Sequence, residues 1–214
     1  MDITHIGHAS FKIRGKKATI VTDPFNPSFV GLKFPKVEAE IVTVSHSHDD
    51  HNYIEGVTGD KRIVEGPGEY EILGVKIIGL SSFHDENEGR DRGKNTIYHF
   101  EMDNIRITHL GDLGQQLTDA TEEILNGTDI LMIPIGGFYT INSQQASQII
   151  TKLEPSIIIP MHYLTKDMNQ EKFGKLDSVS IFLKEMGKEG IVSIPKLSIT
   201  KEKIGAEPTI IVLD

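Results

Sequence analysis

The segment Ser45-His46-Ser47-His48-Asp49-Asp50-His51 places three imidazoles and a carboxylate in the pattern H-x-H-x-D-H. Imidazole nitrogens at i and i+2 of a tight loop face one cation, while the Asp50-His51 pair is turned towards another. Neutral imidazole and carboxylate are the donors that Zn²⁺, Fe²⁺ and Mn²⁺ accept where thiolate is absent. The chain has no cysteine, which removes thiolate ligands, disulfides and a cysteine nucleophile together. On a polar surface loop the same histidines would do no chemistry, so the elements that position them matter.

The remaining ligand candidates share a context with His46. Ile41 to Val44 is a brief β-branched run that ends just before it. Val75 to Leu80 leads in the same way to His84, Ile105 to Thr108 leads to His109 and Asp112, and Ile157 to Ile159 leads to His162. Such runs read as buried strands. Parallel or mixed sheets gather their strand ends along one edge, so these ends can meet at one point. Ile130 to Ile133, followed by Gly136-Gly137, extends the same plan. Upstream, Ile3 to Ile6, Ser10 to Ile13 and Ala18 to Val21 read as short strands. Helices are expected later: one capped by Thr118 and stopped at Asn126-Gly127, one behind an Asn142/Gln145 capping box, and one carrying Val179, Phe182, Leu183 and Met186. Ile191 to Ile194 and Thr209 to Leu213 close the chain as strand-like runs. Strands early and strand–helix alternation late predict an α/β class, with sheets packed together and helices outside.

At 214 residues, 38% hydrophobic and 25% charged, the chain suits one domain spanning residues 1–214, and no linker, repeat or low-complexity tract divides it. No run approaches the roughly 20 apolar residues of a membrane span, and MDITHIGHASF lacks a secretion-signal layout; a cytoplasmic protein with no membrane partner is expected. With 22 basic and 31 acidic residues, a net charge of −9 argues against nucleic acid as a partner. A small anionic substrate stays compatible, because bound cations outweigh the global field locally. The oligomeric state is left open, a homo-oligomer included.

Taken together, these residues resemble the metallo-β-lactamase fold superfamily, whose signature is an H-x-H-x-D-H loop followed by a His, an Asp and a His on later strand ends. The matching positions are His46, His48, Asp50, His51, His84, Asp112 and His162, with no substitution. The resemblance covers nearly the whole chain and implies an αββα sandwich, two mixed sheets face to face with helices outside and metals at one rim. It implies two divalent ions, zinc first and manganese or iron as alternatives. His46, His48 and His84 would hold one, Asp50, His51 and His162 the other, with Asp112 bridging. A narrower similarity, to the L-ascorbate-6-phosphate lactonase-like branch, rests on Gly7-His8-Ala9-Ser10, Asp23-Pro24, His109-x-x-Asp112, Pro134-Ile135-Gly136-Gly137 and Pro160-Met161-His162-Tyr163. Two divalent cations, two aspartates and a bridging hydroxide leave about +1 at the centre, which suits attack on a carbonyl or phosphoryl group. The hydroxide is then the nucleophile, and Asp50 orients it.

Three further residues are expected at the centre beside Asp50. Asp23 resembles the family's first-motif aspartate and would accept a hydrogen bond from a ligand His, or else cap the turn before Pro24. His8 reaches the site rim or lies on a surface turn, and His109 supports Asp112 or is a half-buried strand residue. His5 and His99 read as structural. The 24–36 loop, with Phe25, Phe29 and Phe34, is expected to pack onto the core, a lid being the alternative. The 85–95 loop, with Arg90, Arg92 and Lys94, reads as solvated and mobile, with binding of a substrate anion as the alternative. Tyr139 is a substrate contact on the resemblance alone. The function implied is metal-dependent hydrolysis of a small phosphorylated, lactone or phosphodiester substrate. A nuclease shares the ligand set but calls for a basic exosite. A mononuclear-iron oxidoreductase would keep His46, His48, His84 and Asp112, and a non-catalytic metal-binding protein is the last alternative.

Overall fold

In the computed structural model, which describes residues 1–214, the apolar runs pair into two large mixed sheets. β1 (Asp2–Gly7), β2 (Ser10–Arg14) and β3 (Thr19–Thr22) form an antiparallel meander. After the one-turn helix α1 (Pro27–Val30) and the short β4 (Val37–Glu38), β5 (Ile41–Val44) lies parallel to β3. β6 (Val57–Thr58) pairs with β4, and β7 (Arg62–Glu65) runs parallel to β5.

The second sheet repeats this plan of antiparallel neighbours followed by parallel ones. β8 (Gly68–Ile72), β9 (Val75–Phe83), β10 (Lys94–Met102) and β11 (Ile105–His109) are antiparallel in turn. Parallel pairing needs a crossover, and helices supply it. α2 (Asp119–Leu125) leads to β12 (Ile130–Pro134), and α3 (Ser143–Leu153) leads to β13 (Ile157–Met161). α4 (Gln170–Phe173) and α5 (Val179–Glu185) follow. β14 (Leu197–Ser198) then returns to β1, and β15 (Thr209–Ile210) joins β13.

Side-chain alternation along the strands decides the layers. Phe11, Ile13, Ile20 and Ile41 of the first sheet meet Ile77, Phe100, Ile130, Met132 and Ile159 of the second in a shared core. Leu131, Ile133 and Ile158 point the other way, onto Ala146, Ile149, Ile150 and Leu153 of α3 and Phe182 and Leu183 of α5. Burying each large apolar side chain contributes about 1.5–3 kcal/mol. The capping box that starts α3 is present: Gln145 N donates to Asn142 Oδ1 at 2.9 Å and Asn142 N donates to Gln145 Oε1 at 3.0 Å.

The sandwich is as expected, but its helical cover is uneven. On the outer face of the first sheet, Val21, Val42 and Val44 pack against Val37, Ala39 and Val57, carried by or beside the β4–β6 ribbon. Pro24, Pro27 and Pro35 in this connection limit its helix to one turn. Ile191 to Ile194 does not form the expected strand. Its sheet contact is a single bridge from Ile194 to Leu213; Val192 is 82% exposed, and Ile191 alone of the run packs against the core beneath α3 and α5. No helix is long and apolar enough to cross a membrane.

Candidate metal centre

The ligand candidates leave the sheets at strand C-terminal ends: Asp23 follows β3, the His46–His51 loop follows β5, and His84, Asp112 and His162 follow β9, β11 and β13. β9, β11 and β13 point the same way, so their exits share one rim. The rim converges on Asp112. Its Oδ2 lies 3.1 Å from both His84 Nε2 and His162 Nε2, 3.2 Å from His51 Nε2 and 3.8 Å from His46 Nε2. His46 Nε2 and His48 Nδ1 are 3.0 Å apart. Three donor groups result, each with its atoms within 4.8 Å of one another: His46, His48 and His84; His46, His51 and Asp112; and His8, Asp50, His51 and His162.

The donor set fits divalent cations. His51 Nε2, His162 Nε2 and Asp112 Oδ1 are buried with no hydrogen-bond partner. Such atoms cost about 1–3 kcal/mol each when left unpaired, and here they surround one point. Burial, reinforced by His51, pushes the His46 imidazole down to about 3, so its lone pair is available at neutral pH. Burial by itself would raise the Asp112 carboxyl, but His162, His51 and His84 hold it well below the usual carboxylate range. Burial opposes the charged form of His51, but Asp112 and Asp50 hold its pKa well above the usual imidazole value, so a cation bound there would displace a proton. Imidazole nitrogens around an ionised carboxylate are the donor types that zinc, manganese or iron coordinate.

Asp23 is fully buried and braces the loop. It accepts Ser45 N at 2.8 Å on Oδ1, and Ser45 Oγ at 2.6 Å and His51 Nδ1 at 2.9 Å on Oδ2. It therefore supports a candidate ligand, His51, and does not merely cap a turn. His8 is buried as well, with Nε2 3.1 Å from Asp50 Oδ2, and the surface-turn alternative falls. Burial, then the neighbouring His162, brings its imidazole down to about 4. His8, Asp23 and His162 all hold left-handed backbone, with φ of 56°, 39° and 53°, a cost the surrounding packing must offset.

His109, at the end of β11, is fully buried and supports Asp112, the first of the two readings open to it. Its Nε2 meets Ala9 O at 2.8 Å and its Nδ1 accepts Gly111 N at 3.2 Å, so both ring nitrogens are used on backbone and it braces the Asp112 turn. Asn95, unremarked in the sequence, holds that turn from the other side. Its Oδ1 accepts Asp112 N at 2.9 Å and its Nδ2 donates to Leu110 O at 2.9 Å. No local pattern pointed to it, because its place beside Asp112 depends on β10 pairing with β11. His5 and His99 lie in β1 and β10 and belong to none of the donor groups; His5 Nε2 meets His8 O at 3.1 Å.

A cavity of about 460 Å³ opens over the centre. Ser47, His48, Asp49, Asp50, His84 and Asp112 line it from the rim, while Phe29, Arg92, Tyr139, Lys172 and Phe173 complete its wall. The 85–95 loop is not the mobile segment expected. Asp85 accepts the backbone N–H groups of Asn87, Gly89, Asp91 and Arg92 at 2.8 to 3.1 Å, which folds the loop over and turns Arg92 towards the cavity. The 24–36 loop divides its work: Phe25 packs with Val30, Met168 and Phe173, and Phe29 lines the cavity. Tyr139 also lines it, as expected, whereas nothing in the sequence pointed to Lys172 or Phe173 of α4.

Comparison with known proteins agrees with this fold. Residues 2–162 match the β-lactamase superfamily domain. A Thermotoga maritima crystal structure, assigned as a Zn-dependent hydrolase of the metallo-β-lactamase superfamily, is 37% identical, with a TM-score of 0.81 over 99% of this chain and 97% of that one. A UPF0173 metal-dependent hydrolase of Thermococcus onnurineus is 29% identical over 191 residues, 76% of this chain and 84% of the relative. A Parabacteroides distasonis structure, 21% identical with a TM-score of 0.65 over 88% of this chain and 89% of that one, shares the fold.

Proposed function

The chain belongs to the β-lactamase superfamily, and from that premise we propose that it is a di-metal hydrolase of small anionic molecules, with a phosphorylated, lactone or phosphodiester substrate. The observation that carries this reading is the position of Asp112 Oδ2, within 3.2 Å of His51, His84 and His162 and so between the donor group that contains His84 and the one that contains His162. His46, His48 and His84 would hold one cation, and Asp50, His51 and His162 the other, with Asp112 between them. Zinc is the leading identity, with manganese or iron as alternatives.

Divalent cations held there would supply Lewis acidity and would bring the pKa of water down to about 7. The chain's own residues supply position. Burial opposes ionisation of Asp50, but His51 and His8 hold its carboxyl well below the usual range, so it is an acceptor throughout the working pH range. With Oδ2 fixed by His8 and the side chain at the cavity lining, Asp50 orients incoming water towards the substrate. Asp23 and Asn95 keep His51 and Asp112 in place without touching the reacting atoms.

The test combines metal analysis with turnover of bis(p-nitrophenyl) phosphate and a panel of lactones and esters. The loaded protein is expected to hydrolyse at least one class, and Asp50→Ala to lower that rate by about 10²-fold or more with its circular dichroism unchanged. Full metal loading with no turnover of any ester, lactone, lactam or phosphodiester would overturn the reading.

A further inference from the structure

Two cations stand on the wall of the cavity without an anionic partner. Arg92, half-buried, gives one hydrogen bond, from Nη2 to Phe138 O at 3.3 Å, and its guanidinium carbon lies 5.0 Å from the Tyr139 ring centre. Lys172, exposed on α4, sets Nζ 4.1 Å from the Phe29 ring centre. Neither has a carboxylate within 4.0 Å, in a chain where 31 acidic residues outnumber 22 basic ones. Tyr139 joins the two, since its hydroxyl donates to Lys172 O at 2.8 Å while Arg92 stacks on its ring.

Unpaired cations beside a centre built to hold further cations raise its potential and oppose metal uptake. Asp49 is the only acid on the cavity lining outside the ligand set, so the wall stays cationic. Stacking on aromatic faces holds the charged groups in place and leaves most of their N–H donors unused. Phe29 and Phe173 add apolar lining to the same cavity. A monoanion that bound only at the metal centre would use none of these groups.

We propose that the substrate is two-ended. Its scissile group sits at the metal centre, which rests on the hydrolase reading above. A separate carboxylate or phosphate is held by Arg92 and Lys172, and an apolar or planar spacer lies along Phe29, Tyr139 and Phe173. Arg92 and Lys172 are then specificity-determining residues, and the chain selects dianions over monoanions of equal length.

Calorimetric binding to the zinc-loaded protein tests this without turnover. The probes are α,ω-dicarboxylates of graded length, monocarboxylates of the same chain lengths, and the matching ω-phosphonocarboxylates. The best dianion is expected to bind about tenfold more tightly than its monoanion, an advantage that falls as salt rises. Comparing the carboxylate with the phosphonate series shows which anion the distal end prefers. Arg92→Ala, Arg92→Gln and Lys172→Ala should each remove most of the advantage, while Lys184→Ala on α5 retains it. Equal binding of monoanions and dianions, or an advantage that survives in both the Arg92 and Lys172 variants, would overturn the proposal. Hydrolysis of monoanionic or neutral esters would still stand in that case, so the two readings fail separately.

Discussion

Asp23 Oδ2 lies 2.9 Å from His51 Nδ1, and this contact leaves Nε2 as the ring atom turned to Asp112 Oδ2, 3.2 Å away. A buried carboxylate thus fixes both the tautomer and the orientation of a ligand candidate. The same carboxylate accepts Ser45 N and Ser45 Oγ, tying the start of the metal loop to the end of β3. Asp23→Ala is therefore expected to weaken metal affinity by about 10–100-fold, read by titration against a competing chelator. Unchanged affinity would mean that His51 is oriented by its other neighbours.

Chelation should destabilise the fold as well as stop catalysis. Buried, unpartnered His51 Nε2, His162 Nε2 and Asp112 Oδ1 would be satisfied together by cations that the unfolded chain does not hold in this arrangement. At a metal concentration about 1,000-fold above Kd the gain is about 4 kcal/mol. Calorimetry before and after chelation is expected to show a melting point lower by roughly 8–16 °C in the stripped protein, given about 2–4 °C per kcal/mol at this size. Equal melting points would show that the donors gain nothing from the ion.

The convergence of the ligand candidates was legible in the sequence because each follows a β-branched run, and a strand end fixes where the next side chain emerges. His46, His84, Asp112 and His162 lie within three residues of their strands' last residues. Asn95 and Lys172 were not legible for different reasons. Asn95 matters because β10 is pulled alongside β11, a pairing that no local pattern encodes. Lys172 sits on a four-residue helix whose place on the cavity depends on Phe173 packing under Phe25 and Met168. The Asp85 turn was misread because a charged, glycine-containing run looks solvated, although one carboxylate was enough to order it.

Gly111 offers a sharper test of how Asp112 is aimed. It holds φ +56°, and a Cβ there would come within 2.4 Å of Asn95 Oδ1 and 2.7 Å of Ser45 Cβ. Neither neighbour is the far end of a flexible chain. Gly111→Ala should therefore cost more than the about 1 kcal/mol usual for such a backbone and displace Asp112 from its hydrogen bond to Asn95. Loss of both metal and thermal stability is the expected result. Normal metal content in this variant would show that the turn tolerates a shift without moving the carboxylate.

Asp85 and Arg92 should behave as one unit. Asp85 accepts Arg92 N at 2.8 Å together with three other backbone donors of the same loop. Removing the carboxylate leaves the loop without its central acceptor and the guanidinium without a fixed approach to the cavity. If so, Asp85→Ala and Arg92→Ala each reduce dianion binding, and the double variant loses little more than Arg92→Ala alone. Residues that act through one another show coupling energies of about 0.5–3 kcal/mol in such cycles. Strictly additive losses would separate the loop from the cation.

His99 provides a pH test remote from the centre. Its Nδ1 meets Thr108 Oγ1 at 2.8 Å, and that hydroxyl meets Thr128 Oγ1 at 2.8 Å. Burial, then the charge of Arg106, lowers its pKa from the usual 6.5, with Glu101 and Asp129 opposing only in part. In the window below 6.5 the unfolded chain thus binds a proton that the folded chain refuses. The contribution of His99 to stability is whole above that pH and is lost as pH falls from 6.5 towards the lowered folded-state value. His99→Gln cannot titrate, so its melting point should fall less than that of the parent between about pH 7 and about pH 5. His5 and His109 are lowered by burial in the same direction and keep a slope in both proteins, so the difference between the two curves isolates His99. Parallel curves across that window would show that the imidazole titrates alike in the folded and unfolded chains.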